Sequence, residues 1–379
     1  MTRCTSAHVD LRALEANFRL IGAYLAGARA RLGLPPPGII AVVKANAYGH
    51  GAARVGLALE HAGATMLACA DIEEGIELRR SGVRTDILVF GALSVSDVSG
   101  LFEHRLTPTA STPAAGRALQ AAAAARATRL RYHLKIDTGM NRLGFRHDNL
   151  DRTLAELLSS PNLVLAAVAT HFATADDPAS PLFEAQRLRF EAAAARVEAL
   201  GAPKVARHAA NSAAILRDER VWYDFVRPGA LLYGLVPPPL TSTLALEPVM
   251  TIRSRIVSVK GVHAGESVGY GARFVAARPS RIAIVPAGYA DGLDVGLGGR
   301  GAVLVRGRRV PIVGAVSMDM LAIDVTGLAV ETGDEVVLLG RQGGDEITVR
   351  EMAAAAGTVP YEVLCRVGTR IERIYNAAE

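Results

Sequence analysis

Gly38-Ile39-Ile40-Ala41-Val42-Val43-Lys44-Ala45-Asn46-Ala47-Tyr48-Gly49-His50-Gly51 is the stretch whose reading decides the fold. The run Ile39–Val43 is short, apolar and partly β-branched, with no polar alternation, which predicts a strand buried on both faces as in a parallel sheet. Polarity then switches abruptly to Lys44, Asn46 and Tyr48, two glycines come next, and Ala52–His61 reads as a helix. A strand–loop–helix unit with an amine at the strand's C-terminal end is where α/β folds place chemistry. Such a lysine either reaches its ammonium into water or sits in an apolar mouth. Desolvation there lowers its pKa and leaves an amine able to form a Schiff base.

Outward from that unit, strands and helices alternate. Asp10 is placed to cap a first helix from Leu11 to Arg31. Strands are expected at Ile39–Val43, Met66–Cys69, Ile87–Phe90, Leu106–Thr109 (weakly), Leu130–Ile136, Leu163–Thr170, Val205–His208 and Phe225–Tyr233. Helices are expected between them at Ala52–His61, Asp71–Arg80, Val95–His104, Thr112–Ala127, Leu150–Leu158, Leu182–Leu200 and Ser212–Leu216. Eight strands with intervening helices fit a closed (β/α)8 TIM-like barrel better than an open doubly wound sheet, although closure itself is invisible to a pattern. After Pro237-Pro238-Pro239 the character changes to short β runs separated by glycine turns. The chain therefore divides into a barrel over residues 1–240 and a mostly-β C-terminal domain over 241–379.

Composition narrows the function. The chain has 379 residues, about half of them hydrophobic, and a formal net charge of +5. Its arginines are scattered, which speaks against a nucleic-acid stripe. No apolar run is long enough to span a bilayer, and residues 1–10 lack an apolar signal core, so cytoplasmic residence is expected. Cys4, Cys69 and Cys365 have no paired spacing, which suits a reducing compartment and gives neither a disulfide framework nor a metal site. Gly296-Leu297-Gly298-Gly299-Arg300-Gly301 matches a dinucleotide fingerprint by letter, but a β run comes after it rather than a helix, so it reads as a loop.

Further strings occur in order along the chain. They are Leu134-Lys135-Ile136-Asp137-Thr138-Gly139-Met140-Asn141-Arg142-Leu143-Gly144, Thr170-His171-Phe172-Ala173, His208-Ala209-Ala210-Asn211-Ser212-Ala213, and Arg227-Pro228-Gly229-Ala230-Leu231-Leu232-Tyr233-Gly234. Val268-Gly269-Tyr270-Gly271, Gly288-Tyr289-Ala290-Asp291-Gly292, Ser317-Met318-Asp319 and Pro360-Tyr361-Glu362 complete the series. Together with the Lys44 segment, the set resembles the alanine racemases. Those are pyridoxal-phosphate enzymes with a barrel, a C-terminal β domain and a head-to-tail homodimer.

The resemblance implies a role for each matched residue. Lys44 would carry the pyridoxal 5'-phosphate and act as one acid–base group, with Tyr270 of the partner subunit as the other on the opposite face. Inverting a Cα centre needs a proton removed on one side and delivered on the other. A free phenol has a pKa near ~10; His171 and Arg142 are the neighbours implied to favour phenolate at Tyr270. Arg227 would face the pyridine nitrogen, which an arginine does not protonate, with His208 behind it. Tyr48, Ser212 and Tyr361 hydroxyls and the amides of Gly229 and Ala230 would hold the phosphate, and Asn211 belongs to the same segment. Arg142 and the Met318 amide of the partner subunit would meet the substrate carboxylate. Tyr289, Tyr270, Tyr361 and Ala230 would narrow the mouth, with Asp319 supporting that wall. Lys135, close in sequence to Arg142, would be carbamylated, since two bare cations there repel. The expected activity is interconversion of L- and D-alanine, either for peptidoglycan or for degradation. A serine racemase or a racemase of a larger amino acid, a decarboxylase of the same cofactor class and a non-catalytic pyridoxal-phosphate carrier are the alternatives. The carrier would lack the β domain, Tyr270 and Met318.

Overall fold

The computed structural model describes residues 4–91 and 97–376. Within it, eight parallel strands form a closed ring. They are β1 (Gly38–Val42), β2 (Met66–Cys69), β3 (Asp86–Val89), β4 (Thr107–Ala110), β5 (Leu130–Asp137), β6 (Leu163–Ala169), β7 (Ala206–Asn211) and β8 (Phe225–Arg227). Neighbours pair in chain order, and β8 returns to β1 through Phe225 opposite Gly38 and Val226 opposite Ile39. The β4–β5 pairing sets Thr109 opposite His133 and closes the circle that pattern alone left open. The open-sheet alternative is thereby excluded.

Local chemistry explains most helix starts. Asp71 accepts from the Glu74 amide and Thr112 from the Ala115 amide, each a side-chain cap at the head of its helix. The expected Leu150–Leu158 helix is instead two short helices, Leu150–Thr153 and Ala155–Leu158, separated at Leu154. The expected strand Phe225–Tyr233 stops at Arg227, because Pro228 has no N–H to give a ladder and Gly229 turns the chain. Ala230–Tyr233 then forms a 3-10 turn. Of the expected Val95–His104 helix, Ser99–Glu103 is helical, and residues 95 and 96 lie outside the described residues.

The β-rich part is a second compact unit built from residues 1–13, 48–51 and 248–379, while 14–47 and 52–247 make the barrel unit. The first strand of the chain, Ser6–Asp10, pairs antiparallel with Met250–Arg255 and parallel with Glu372–Asn376. Its five residues alternate half-buried and buried, a period of two too short to stand out beside the long helix after it. The sheet continues through Glu335–Gln342, Ala302–Val305, Arg308–Val313, Leu321–Asp324, Ser280–Val285 and Ser258–Val262. Gly296–Gly301 is a turn ahead of the Ala302–Val305 strand, as its sequence context requires.

Gly49 belongs to this second unit at φ 80°, and a Cβ there would lie 2.1 Å from the Leu364 carbonyl oxygen. Both the conformation and the contact demand glycine. Gly49→Ala is expected to lower the unfolding free energy by about 2–4 kcal/mol in urea titrations. A change within about 0.5 kcal/mol would contradict this packing.

Candidate active site

Lys44 comes directly after β1 and opens an unusual turn. Ala45, Asn46 and Ala47 have φ/ψ of 53/53°, 51/47° and 54/52°, and Tyr48 continues at φ 51°. Four successive non-glycine residues are thus left-handed, a conformation that costs L-residues roughly 1–2 kcal/mol each. The surroundings fix it. The Ala45 amide donates to Glu74 Oε1 at 2.6 Å, and Glu74 Oε2 accepts from the Ala70 amide at 2.7 Å. Asn46 Oδ1 accepts from the Ala52 amide at 2.7 Å, so the turn also caps the next helix. The Ala47 amide donates to the Val43 carbonyl at 2.8 Å. Over-determined strain of this kind is concentrated at functional positions.

Across the same end of the barrel, Arg227 terminates β8 and is almost wholly buried. Its guanidinium donates to His208 Nδ1 at 2.7 Å, to the carbonyls of Thr170 at 2.8 Å and Ala209 at 2.9 Å, and to His171 Nδ1 at 3.2 Å. Burial is the cause of its pKa falling to about 10, so at neutral pH it stays a cation, and among the described residues no carboxylate pairs with it.

The protonation of the histidines is dictated by that cation. A guanidinium only donates, so Nδ1 of His208 accepts and its proton sits on Nε2. His208 Nε2 is 2.9 Å from His133 Nδ1, which must therefore accept, placing the His133 proton on its own Nε2. Burial first, then neighbouring cations, hold His208 and His171 well below the usual imidazole range and His133 at about 4. An ordered chain results in which cationic Arg227 is followed by neutral His208 and neutral His133. His133 was absent from the residues singled out in the sequence, because its partner lies 75 positions away and no local motif announces it.

The remaining barrel residues gather around that charge. Lys135, on β5, has its pKa well below the usual amine range, through burial, then Arg227 and Arg142, with Asp137 opposing. His171 feels Arg227, Lys135, Arg142 and Lys44 in turn. Ser212 is buried, and its Oγ accepts from the Gly229 amide at 2.9 Å and the Leu231 amide at 3.4 Å. With both lone pairs engaged, its hydroxyl is left to donate outward. The Gly229 amide, expected to meet a ligand, donates to Ser212 Oγ. The helix Ser212–Arg217 begins where expected, and its cap is Asn211, which accepts from the Ala214 amide.

A buried guanidinium, a donating hydroxyl and a low-pKa amine form a donor set suited to an anionic ligand with an electrophilic carbonyl. Pyridoxal phosphate has that chemistry, and the residues fit it.

Tyr48, Tyr270, Tyr289, Met318, Asp319 and Tyr361 lie in the β-rich unit. Burial, then Cys365 and Tyr361, push the Tyr48 phenol up, which keeps it protonated and donating. Tyr270 stands on a tight turn between Gly269 and Gly271, both at positive φ, and is 77% exposed. Tyr289 and Met318 are also largely exposed and lie on adjoining loops, joined by the Tyr289 amide to the Ser317 carbonyl and the Ala290 amide to the Met318 carbonyl, both at 3.0 Å. Arg370 holds Asp319 at 2.6 Å and reaches the buried Asp291 at 3.5 Å, an anchor that sequence reading missed. Arg142, in the barrel unit, is exposed. Among the described residues no helix is long and apolar enough to cross a membrane.

Comparison with known proteins agrees over the full chain. Residues 9–237 match the family described as "Alanine racemase, N-terminal domain" and residues 249–375 "Alanine racemase, C-terminal domain". An alanine racemase of Symbiobacterium thermophilum is 41% identical over 376 residues, covering 99% of this chain and 97% of that one. A crystal structure of alanine racemase from a D-cycloserine-producing Streptomyces lavendulae superposes with a TM-score of 0.94 at 34% identity, covering 100% of this chain and 98% of the other. The Streptomyces coelicolor A3(2) alanine racemase gives 0.91 at 34% identity, covering 98% and 97%.

The buried neutral histidines have a consequence for stability. Each has its pKa lowered on folding, so below the unfolded value of 6.5 the unfolded chain binds protons that the fold refuses. Stability is full above that pH and is lost as pH falls from 6.5 toward about 4, the folded value of His133. With His133, His171 and His208 contributing, the isolated chain is expected to lose up to about 4 kcal/mol per pH unit near pH 5. Urea unfolding at stepped pH checks this, and a flat profile between neutrality and that range would contradict neutral histidines.

Proposed function

We propose that this chain, which belongs to the alanine racemase family, interconverts L- and D-alanine with pyridoxal 5'-phosphate held on Lys44. The observation that carries the reading is the barrel-end cluster in which the buried guanidinium of Arg227, backed by His208, stands with Lys44, the Ser212 hydroxyl and the lowered-pKa amine of Lys135, a set suited to an anionic ligand. When bound, the cofactor supplies an electron sink that acidifies the Cα–H of an attached amino acid. The chain's own residues then direct where the proton goes.

Arg227 would stand at the ring nitrogen. Its donors are already shared among His208, His171 and two carbonyls, and it has no proton to give up at working pH. That restrains charge delocalisation into the ring and disfavours side reactions. Ser212, Tyr48 and Tyr361 would donate to the phosphate, with Gly229, Ala230 and Asn211 shaping the loop around it. Lys44 Nζ would move a proton on one face. The phenol of Tyr270 from a partner subunit would serve the other, which gives its 77% exposure in one chain a use. Arg142 and Met318 would receive the substrate carboxylate, while Tyr289 and Asp319 would form the wall that keeps the substrate small. Carbamylation of Lys135 is part of the proposal, since its amine is held in the neutral form whose lone pair attacks the carbon of carbon dioxide, giving a carbamate and releasing one proton.

The proposal includes a homodimer with shared sites and cytoplasmic residence. It also keeps the division into a cofactor-binding barrel over residues 1–240 and a β-rich domain over 241–379. Either a biosynthetic or a degradative role is compatible with this chemistry.

The test is incubation of the cofactor-loaded protein with L-alanine in heavy water, then chiral chromatography with mass detection. D-alanine carrying deuterium at Cα is the expected product. A bound cofactor with no D-alanine would overturn the substrate and send the search to serine, lysine and carbon dioxide release. Lys44→Ala is expected to abolish turnover in both directions. Tyr270→Phe is expected to remove Cα exchange from L-alanine far more than from D-alanine, by about a hundredfold or more. Equal losses from both enantiomers would sink the two-face assignment.

A further inference from the structure

The helix Leu182–Ala199 turns Phe183, Gln186, Phe190, Ala193, Ala194 and Val197 inward. One member of that stripe is polar. Gln186 is fully buried, and its amide is spent on two neighbouring strand ends. Nε2 donates to the His171 carbonyl at 3.0 Å and to Thr138 Oγ1 at 3.2 Å, and Oε1 accepts from the Ala173 amide at 2.8 Å. Thr138 Oγ1 lies 2.8 Å from Thr170 Oγ1, which donates to the Ile136 carbonyl at 3.0 Å. The Thr170 carbonyl is in turn an acceptor for Arg227.

We propose that Gln186, acting with Thr138, is the positioning residue for His171. It holds the chain on the C-terminal side of His171, through the carbonyl of His171 and the amide of Ala173, while Thr138 holds Thr170 on the other side. It also ties that segment to the end of β5, which carries Lys135 and leads to Arg142. His171 meets Arg227 at 3.2 Å, a long contact that a small backbone shift would break. A hydrophobe of the same size would fill the space on this helix face. The amide is needed because it satisfies the His171 carbonyl and the Ala173 amide and adds a second bond to Thr138 Oγ1, which also meets Thr170. The proposal rests on the reading that His171 serves proton movement at the site, and its decisive readout does not depend on that reading.

Gln186→Met keeps the side-chain length and volume while removing the three hydrogen bonds, and Thr138→Val removes the bridge to Thr170 with little change of shape. In the cofactor-loaded protein, Gln186→Met is expected to lower kcat about tenfold while KM stays within about twofold, the pattern of a misplaced reacting group rather than of lost binding. Thr138→Val should change in the same direction with a smaller loss. The second readout is titration of the His171 ring by nitrogen-15 NMR, assigned with a His171→Asn variant. Burial and the charges of Arg227, Lys135, Arg142 and Lys44 hold its pKa below 6.5. A ring released from that setting titrates higher, so both variants should move it up toward 6.5. Unchanged kcat and unchanged titration in both variants would overturn the proposal. So would a loss of turnover with the His171 titration unmoved, because the lost activity would then arise elsewhere. If Gln186→Met fails to fold, Thr138→Val decides by the same two measurements. Absence of racemisation by the wild-type protein would defeat the functional reading, and the titration would still decide the positioning role.

Discussion

A guanidinium carried into the barrel, with no carboxylate among the described residues to meet it, is the constraint around which this site is arranged. Arg227 spends its hydrogens on two imidazole nitrogens and two carbonyls, which leaves its charge uncompensated. Burying an unpaired charge is costly, and the cost is tolerable only where hydrogen bonds are well made and an anion completes the site. That cation orders the protons along His208 and His133, and after burial it adds to the lowering of the pKa of these histidines and of Lys135. Three strand ends, those of β6, β7 and β8, are tied together by one side chain. Substitution at Arg227 therefore acts on geometry and electrostatics at once.

The left-handed turn after Lys44 is the second device. Its strain of several kcal/mol is offset by the Glu74 carboxylate, which accepts from the Ala45 and Ala70 amides, and by Asn46, which caps the next helix. A conventional turn would send the chain elsewhere after β1. The amine is thus located by backbone conformation, and its neighbours along the chain are consumed in holding that conformation. Lys44 and Lys135 are both amines at strand ends of one barrel, yet only Lys44 has a turn built around it.

Much of the barrel was legible because each βα unit carries its own signal: an apolar run, a polar switch, a capped helix. Met66–Cys69 and Ala52–His61 agree residue for residue. Closure was not legible, since it rests on Thr109 meeting His133, a pairing no local pattern encodes. The strand Ser6–Asp10 escaped because five alternating residues are a weak signal, and its partners lie about 240 and 365 positions away in the register with Met250–Arg255 and Glu372–Asn376. Within the site, residues in local strings could be found: Lys44, Lys135, His171, His208, Ser212 and Arg227. His133, Glu74 and Gln186 could not be assigned from sequence, because each works through contacts between separate elements. Nor did Ala45-Asn46-Ala47 betray a left-handed turn, as these residues adopt it only under tertiary compulsion.

The chain contains four lysines, Lys44, Lys135, Lys204 and Lys260. Two of them, Lys44 and Lys135, lie at the site, so the account stands or falls on which amine holds the cofactor. Borohydride reduction of the loaded protein, with peptide mapping afterwards, fixes the cofactor on the lysine that carries it. The account predicts modification at Lys44 alone. Modification at Lys135 instead would contradict the assignment of roles from which the rest of the mechanism is built.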